Sequence, residues 1–168
     1  ESAREKGFRN LKPFTPDWFG YSMIRNSVHA ELYHEILEMA ERMDFPIEGL
    51  HTETGPGVLE AAIAYDRAEA AADKGALFKT FMKVLAQRNG LMATFMAKWS
   101  GKYPGQSGHI HVSLRDLASG KSAFYDPSQA HNMSKIQRHF LAGQQRLMPE
   151  FLCMVAPTLN SYRRLIPG

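Results

Sequence analysis

A chain of 168 residues suits one domain with a buried core, and its 44% apolar and 22% charged residues are ordinary for a soluble globular protein. Lys and Arg together number 20 against 17 Asp and Glu, a net charge of only +3 without a block of like charges, which argues against a nucleic-acid or membrane-surface role. Cys153 is the only cysteine, so an internal disulfide and any multi-cysteine metal site are excluded. No apolar stretch approaches the roughly 20 residues of a membrane span. The opening "ESAREKGFRN" lacks a signal-peptide core, and the expected location is cytoplasmic. The first residue is Glu rather than Met, so the sequence is expected to be a piece of something longer.

In chain order, "NLKPFTPDWFGYS" reads as an irregular entry segment because of its prolines and glycine. Val28, Leu32, Ile36, Met39 and Met43 recur at helical spacing and predict a helix from Ser27 to Met43. Pro46 blocks its continuation, and Ile47 and Leu50 fall on a short strand. A tight hairpin around Gly55-Pro56-Gly57 follows. Residues 66–90, alanine-rich and closed by Asn89-Gly90, predict the longest helix. "LMATFMAKW" predicts a buried strand, and "GHIHVSLRDLASGKSAFYD" a strand pair turning at Ser119-Gly120. Residues 133–152 return to helix, with Pro149 expected to kink or break it. Strands interspersed with helices, without a βαβ rhythm, give an α+β class.

Three constellations carry chemistry. Glu53 and Glu60 flank the Gly-Pro-Gly bend, so the hairpin holds two carboxylates near its mouth. Carboxylates at such range repel unless one is protonated or a cation lies between them, and hard ions such as Mg²⁺ or Mn²⁺ take oxygen ligands. A solvated hairpin with its glutamates pointing apart is the other reading of the same spacing. In "SGHIHVSL", strand alternation puts His109, His111 and Ser113 on one side, suited to a metal or a phosphate, or simply to an exposed sheet face. Gly105, Ser107 and Gly108 form a loop able to approach a ligand closely. In "APTLNSYRRLIPG", two arginines beside Asn-Ser fit either a clamp for phosphate or carboxylate or a solvated loop.

Taken in order, "ETGPGVLE" (53–60), "ATFMAKW" (93–99), "SGHIHVSL" (107–114) and "APTLNSYRRLIPG" (156–168) resemble the catalytic domain of the glutamine synthetase family. The family's patterns are "E-x-x-P-G-Q-x-E", "ATFMPKP", "GSGMHxHxSL" and "NPTxNSYKRLxPG". The resemblance runs from about Trp18 to the end. It implies a curved antiparallel sheet, part of a half-barrel, backed by helices, and an ATP-dependent ligase that phosphorylates glutamate and then aminates it with ammonia. It further implies two or more Mg²⁺ or Mn²⁺ ions and a ring-shaped homo-oligomer. On the matching positions, Glu53 and Glu60 are the two hairpin ligands of one metal. His109 is the histidine ligand of a second metal that bridges the ATP phosphates. Glu48, His111 and Ser113, with Tyr65 near adenine, take nucleotide-binding roles. Arg164 takes the catalytic, glutamate-binding role, and Gly105 belongs to the substrate-binding loop; Lys98 matches the lysine of "FMPKP" without an assigned role.

The departures concentrate at the amino-acid pocket. Pro104-Gly105 stands where the family has Asn-Gly, Val58 where it has Gln, and Ala97 where it has Pro. They suggest a γ-glutamyl ligase using an alkylamine or polyamine as one alternative; a noncatalytic structural member of the family is another. Against the family plan, residues 1–168 are expected to be part of the catalytic domain. The N-terminal β-grasp domain and the C-terminal part of the catalytic domain would lie elsewhere, so the chain alone is expected to be inactive.

Overall fold

The computed structural model describes residues 3–165. The chain divides into two compact units, one ending at Gln106 and the other beginning at Ser107. In the first unit the order is α1 (Met23–Val28), α2 (Ala30–Arg42), β1 (Ile47–Thr52), β2 (Leu59–Ile63) and α3 (Ala68–Arg88). In the second, a 3₁₀ turn (Ala130–Asn132) precedes α4 (Lys135–Val155) and α5 (Leu159–Tyr162). Among the described residues no helix is long and apolar enough to cross a membrane.

The core of the first unit forms where α2 covers β1. Tyr33, Ile36 and Ala40, three and four residues apart, make one buried stripe, and Phe45 is fully enclosed just beyond the helix. Burying a side chain the size of Ile36 or Phe45 stabilises by roughly 1.5–3 kcal/mol. Phe45 meets Phe78 of α3 edge-on at 6.3 Å, and Phe78 meets Phe95 at 6.0 Å. This relay of rings ties α3 and the segment after it to the core. α3 ends as its sequence predicts: Asn89 leaves the helix and Gly90 takes a left-handed φ of 69°.

β1 and β2 pair antiparallel, with His51 opposite Glu60 and Thr52 opposite Leu59; the register slips between Ile47 and Gly49. At the turn, Val58 N–H donates to Gly55 O and Glu53 N–H to Val58 O. Gly57 adopts φ +73°, and a Cβ there would lie 2.9 Å from the Phe14 backbone nitrogen. Only glycine satisfies both conditions. The entry segment is therefore folded over the hairpin, and the buried Thr15 hydroxyl accepts from Gly57 N–H at 2.9 Å.

Several expectations change. The predicted helix over 27–43 is two helices, because His29 leaves helical geometry while its ring packs on Phe14 at 4.0 Å. Val28, expected on the apolar face, is exposed. Residues 91–99 form no strand: Ala97 O accepts from Gln106 N–H and Thr94 O from the Gln106 side chain, and no ladder follows. The pair expected from "GHIHVSLRDLASGKSAFYD" reduces to one bridge, Arg115 with Ser122, about a turn where Ser119 donates twice to Asp116 Oδ1. His109, His111 and Ser113 accordingly lie on no strand. A β-patterned segment becomes a strand only when a neighbour supplies its hydrogen bonds. α4 runs through Pro149 without a break, at the cost of one backbone bond. Among the described residues the sheet is thus a two-stranded antiparallel one, within an α+β arrangement.

Candidate active site

The β1–β2 hairpin builds its cluster from register. His51 and Glu53 lie two residues apart and so share a side, while His51 faces Glu60 across the ladder. One donor atom from each of His51, Glu53 and Glu60 lies within 4.8 Å of the others. Glu60 is exposed and the other two are half-buried.

The Glu53 carboxylate is held by hydrogen bonds to both of its oxygens. Its Oε2 accepts from Thr54 N–H at 3.0 Å and from the Thr54 hydroxyl at 3.3 Å, and its Oε1 accepts a short hydrogen bond from Tyr21 OH. The Tyr21 hydroxyl, then the Thr54 amide, hold the Glu53 carboxyl below the ordinary glutamate range, while the same bond to Glu53 raises the Tyr21 phenol. Tyr21 is fixed in turn. Its N–H donates to Thr52 O at 2.7 Å, and its ring lies 4.8 Å from that of His51. Gly20 allows this approach, since a Cβ there would be 3.0 Å from Thr54 N. Two carboxylates and an imidazole at this separation fit a small divalent ion.

The other residues of the first unit surround this hairpin. Glu48 is exposed on β1 where the register slips, and Tyr65 is exposed just beyond β2. Gly105 follows Pro104, whose ring would be 3.8 Å from a Cβ on Gly55 at the hairpin turn. Lys98 donates to Tyr103 O at 2.7 Å, closing the turn that leads into Pro104 and Gly105.

In the second unit, two sequence motifs meet. Arg164, exposed, donates from Nη2 to the Ser107 hydroxyl at 3.1 Å, linking the arginine segment to the loop before His109. Residues 166–168 of that motif lie outside the described residues. His109 and Ser113 are exposed, and His111 lines a cavity of about 260 Å³ with Phe124 and Phe140.

The residue that sequence reasoning missed is His51. The signal was present as the two-residue step to Glu53, but its weight came from the register that sets His51 opposite Glu60.

Residues 12–168 match the family model described as glutamine synthetase, catalytic domain. Over 168 residues, all of this chain, the sequence is 46% identical to type-1 glutamine synthetase 2 of Dictyostelium discoideum, covering 32% of that protein. Over 157 residues it is 36% identical to glutamate–isopropylamine ligase of a Pseudomonas species, covering 94% of this chain and 34% of the ligase. A solved GmaS/ADP complex matches at TM-score 0.82 with 28% identity, over 92% of this chain and 35% of that one. The chain therefore spans about a third of the length of the curated relatives it matches.

Proposed function

The chain belongs to the glutamine synthetase catalytic-domain family, and from that premise we propose that the protein carrying it is an ATP-dependent ligase forming a γ-glutamyl amide from glutamate and ammonia. The observation that carries the reading is the hairpin: Glu53 and Glu60 bring carboxylate oxygens within 4.8 Å of each other, at the positions where the family resemblance expects a divalent ion. The half-barrel sheet belongs to the same proposal, as does a ring-shaped homo-oligomer.

In the reaction proposed, the glutamate γ-carboxylate oxygen attacks the γ-phosphorus of ATP, and the bond to the bridging oxygen of ADP breaks. Ammonia then attacks the acyl carbon of γ-glutamyl phosphate, loses a proton and expels phosphate. Divalent Mg²⁺ or Mn²⁺, when bound, would neutralise the phosphate oxygens and the charge that develops on them. Glu53 and Glu60 would hold one ion, and His109 another. Arg164 would take the substrate carboxylate in a charge-assisted hydrogen bond, with Ser107 steadying the guanidinium and Gly105 in the adjoining substrate loop. Glu48, His111, Ser113 and Tyr65 would contact the nucleotide; the cavity beside His111 supports that role. The solved GmaS/ADP complex, a relative of similar fold, supports a nucleotide substrate.

A second reading, an alkylamine in place of ammonia, is favoured by Pro104, which has neither an amide side chain nor an N–H to offer the substrate. The isopropylamine ligase among the relatives supports it. Phosphate release by the full-length protein, with ATP, glutamate, Mg²⁺ or Mn²⁺ and either ammonia or a panel of amines, distinguishes the two. Ammonia-dependent release supports the first reading, and release only with an alkylamine the second. No release with any amine overturns the ligase reading.

A further inference from the structure

We infer that Trp18 and Tyr103 are positioning residues: they form an aromatic clasp that pre-sets the 98–105 turn, and with it Gly105, for the glutamate substrate. The inference rests on the ligase reading and on the place of Gly105 in the substrate loop.

The turn is closed at its base. Gln106 N–H donates to Ala97 O at 2.8 Å, and the Gln106 side chain donates to Thr94 O at 3.1 Å. Within it, Lys98 Nζ donates to Tyr103 O at 2.7 Å. The Tyr103 ring lies 5.4 Å from that of Trp99, tilted by 32°, and meets Trp18 edge-on at 6.3 Å. Trp99 belongs to the turn itself, so its contact stiffens the turn without placing it. Trp18 belongs to the entry segment, and it is this ring that ties the turn to another part of the fold. The entry segment is fixed on the hairpin in turn. Thr15 accepts from Gly57 N–H, and a Cβ on Gly20 would be 3.0 Å from Thr54 N. The turn also reaches the hairpin directly, since the Pro104 ring would be 3.8 Å from a Cβ on Gly55.

The sequence leaves the family pattern at the same places. Trp99 ends the segment that the family closes with Pro, and Pro104 stands where the family has Asn. Asn-Gly is a flexible pair. Pro104 instead fixes its own φ and biases Tyr103 away from helical backbone. The side-chain amide is lost, but a turn already held in place gives up less freedom when glutamate binds. Releasing the clasp restores that freedom, and the cost falls on glutamate rather than on ATP. An edge-to-face aromatic pair is worth roughly a twofold to tenfold change in an equilibrium.

The test is steady-state phosphate release by the full-length protein, with ammonia as the amine, or isopropylamine if ammonia supports no release. Trp18 is 56% exposed, so its truncation leaves no core cavity and the fold tolerates it. Trp18→Ala and Tyr103→Ala should each raise the KM for glutamate by about fivefold, with the KM for ATP within about twofold of the parent. Because both remove the same contact, Trp18→Ala/Tyr103→Ala should raise it no further than either alone. Trp18→Phe and Tyr103→Phe keep a ring at each end of the clasp and should retain the parent KM. Should Tyr103→Ala not fold, the contrast between Trp18→Ala and Trp18→Phe carries the test. An unchanged glutamate KM in the alanine variants overturns the inference. So does an equal rise in both KM values, which marks general loosening, or a double variant whose effect is the product of the single ones. Absence of phosphate release by the parent with either amine is a different failure: it removes the ligase reading on which the clasp rests.

Discussion

At the scale of single residues, Tyr21 carries more of the hairpin than its place in an irregular segment suggests. Its hydroxyl holds Glu53 Oε1, its N–H holds Thr52 O and its ring backs His51. Groups that orient a metal ligand typically change affinity by about 10–100-fold when removed. Tyr21→Phe keeps the ring and deletes the hydroxyl, so Mn²⁺ affinity of the full-length protein should fall by about tenfold with the fold unchanged; calorimetric titration beside a circular-dichroism spectrum checks both. Gly57→Ala acts differently. It forces a side chain into φ +73° and against the Phe14 nitrogen, and should cost on the order of 1–3 kcal/mol in urea unfolding. The two glutamates and this turn were legible in the sequence because glycines and prolines punctuate the backbone locally. Tyr21 was not, since its partner lies 32 residues away and nothing local marks the pairing.

At the scale of elements, legibility follows the same division between local and distant causes. α3 could be read because alanine content and an Asn-Gly stop are local properties, and α2 because its apolar stripe has one period. The strand expected at 91–99 could not, because a ladder is a property of two segments. α4 owes its start to Ser134. That buried hydroxyl accepts from Gln137 N–H and donates to Ala123 O at 2.6 Å. Ser134→Ala should lose about 1–2 kcal/mol, seen as faster amide exchange in the first turn of α4. α3 has a pH-dependent start. The Lys74 ammonium, then the Arg67 amide, hold the Asp66 carboxyl below its usual range. Since the folded value is the lower one, this stabilisation is present above the unfolded value of about 3.9 and is lost as pH falls through the folded value. Asp66→Asn should therefore be less stable than the parent at neutral pH, with the two melting curves converging in acid.

At the scale of the whole molecule, the chain presents more apolar surface than a self-sufficient domain does. In the second unit Ile110, Leu117, Met154 and Leu159 are 74–102% exposed, and α4 buries none of its 21 residues. Scattered apolar side chains are ordinary on a protein surface; a long helix with an apolar stripe and no fully buried residue is not. The segments whose predicted ladders are missing, 91–99 and 107–114, add β-patterned sequence without its hydrogen-bonding neighbours. Both features fit a chain that spans 32% of a relative 46% identical to it, with the covering surfaces supplied by the rest of such a protein. The same open faces bear on the chemistry. Phosphoryl transfer depends on positive groups and metal ions held together around the phosphates, and catalysis there is almost entirely positioning. Residues 1–168 produced alone should thus self-associate in sedimentation velocity and release no phosphate from ATP with glutamate and any amine, while the full-length protein turns over. Turnover by the isolated chain would mean that its own Glu53, Glu60, His109 and Arg164 suffice, and that the exposed faces serve assembly rather than catalysis.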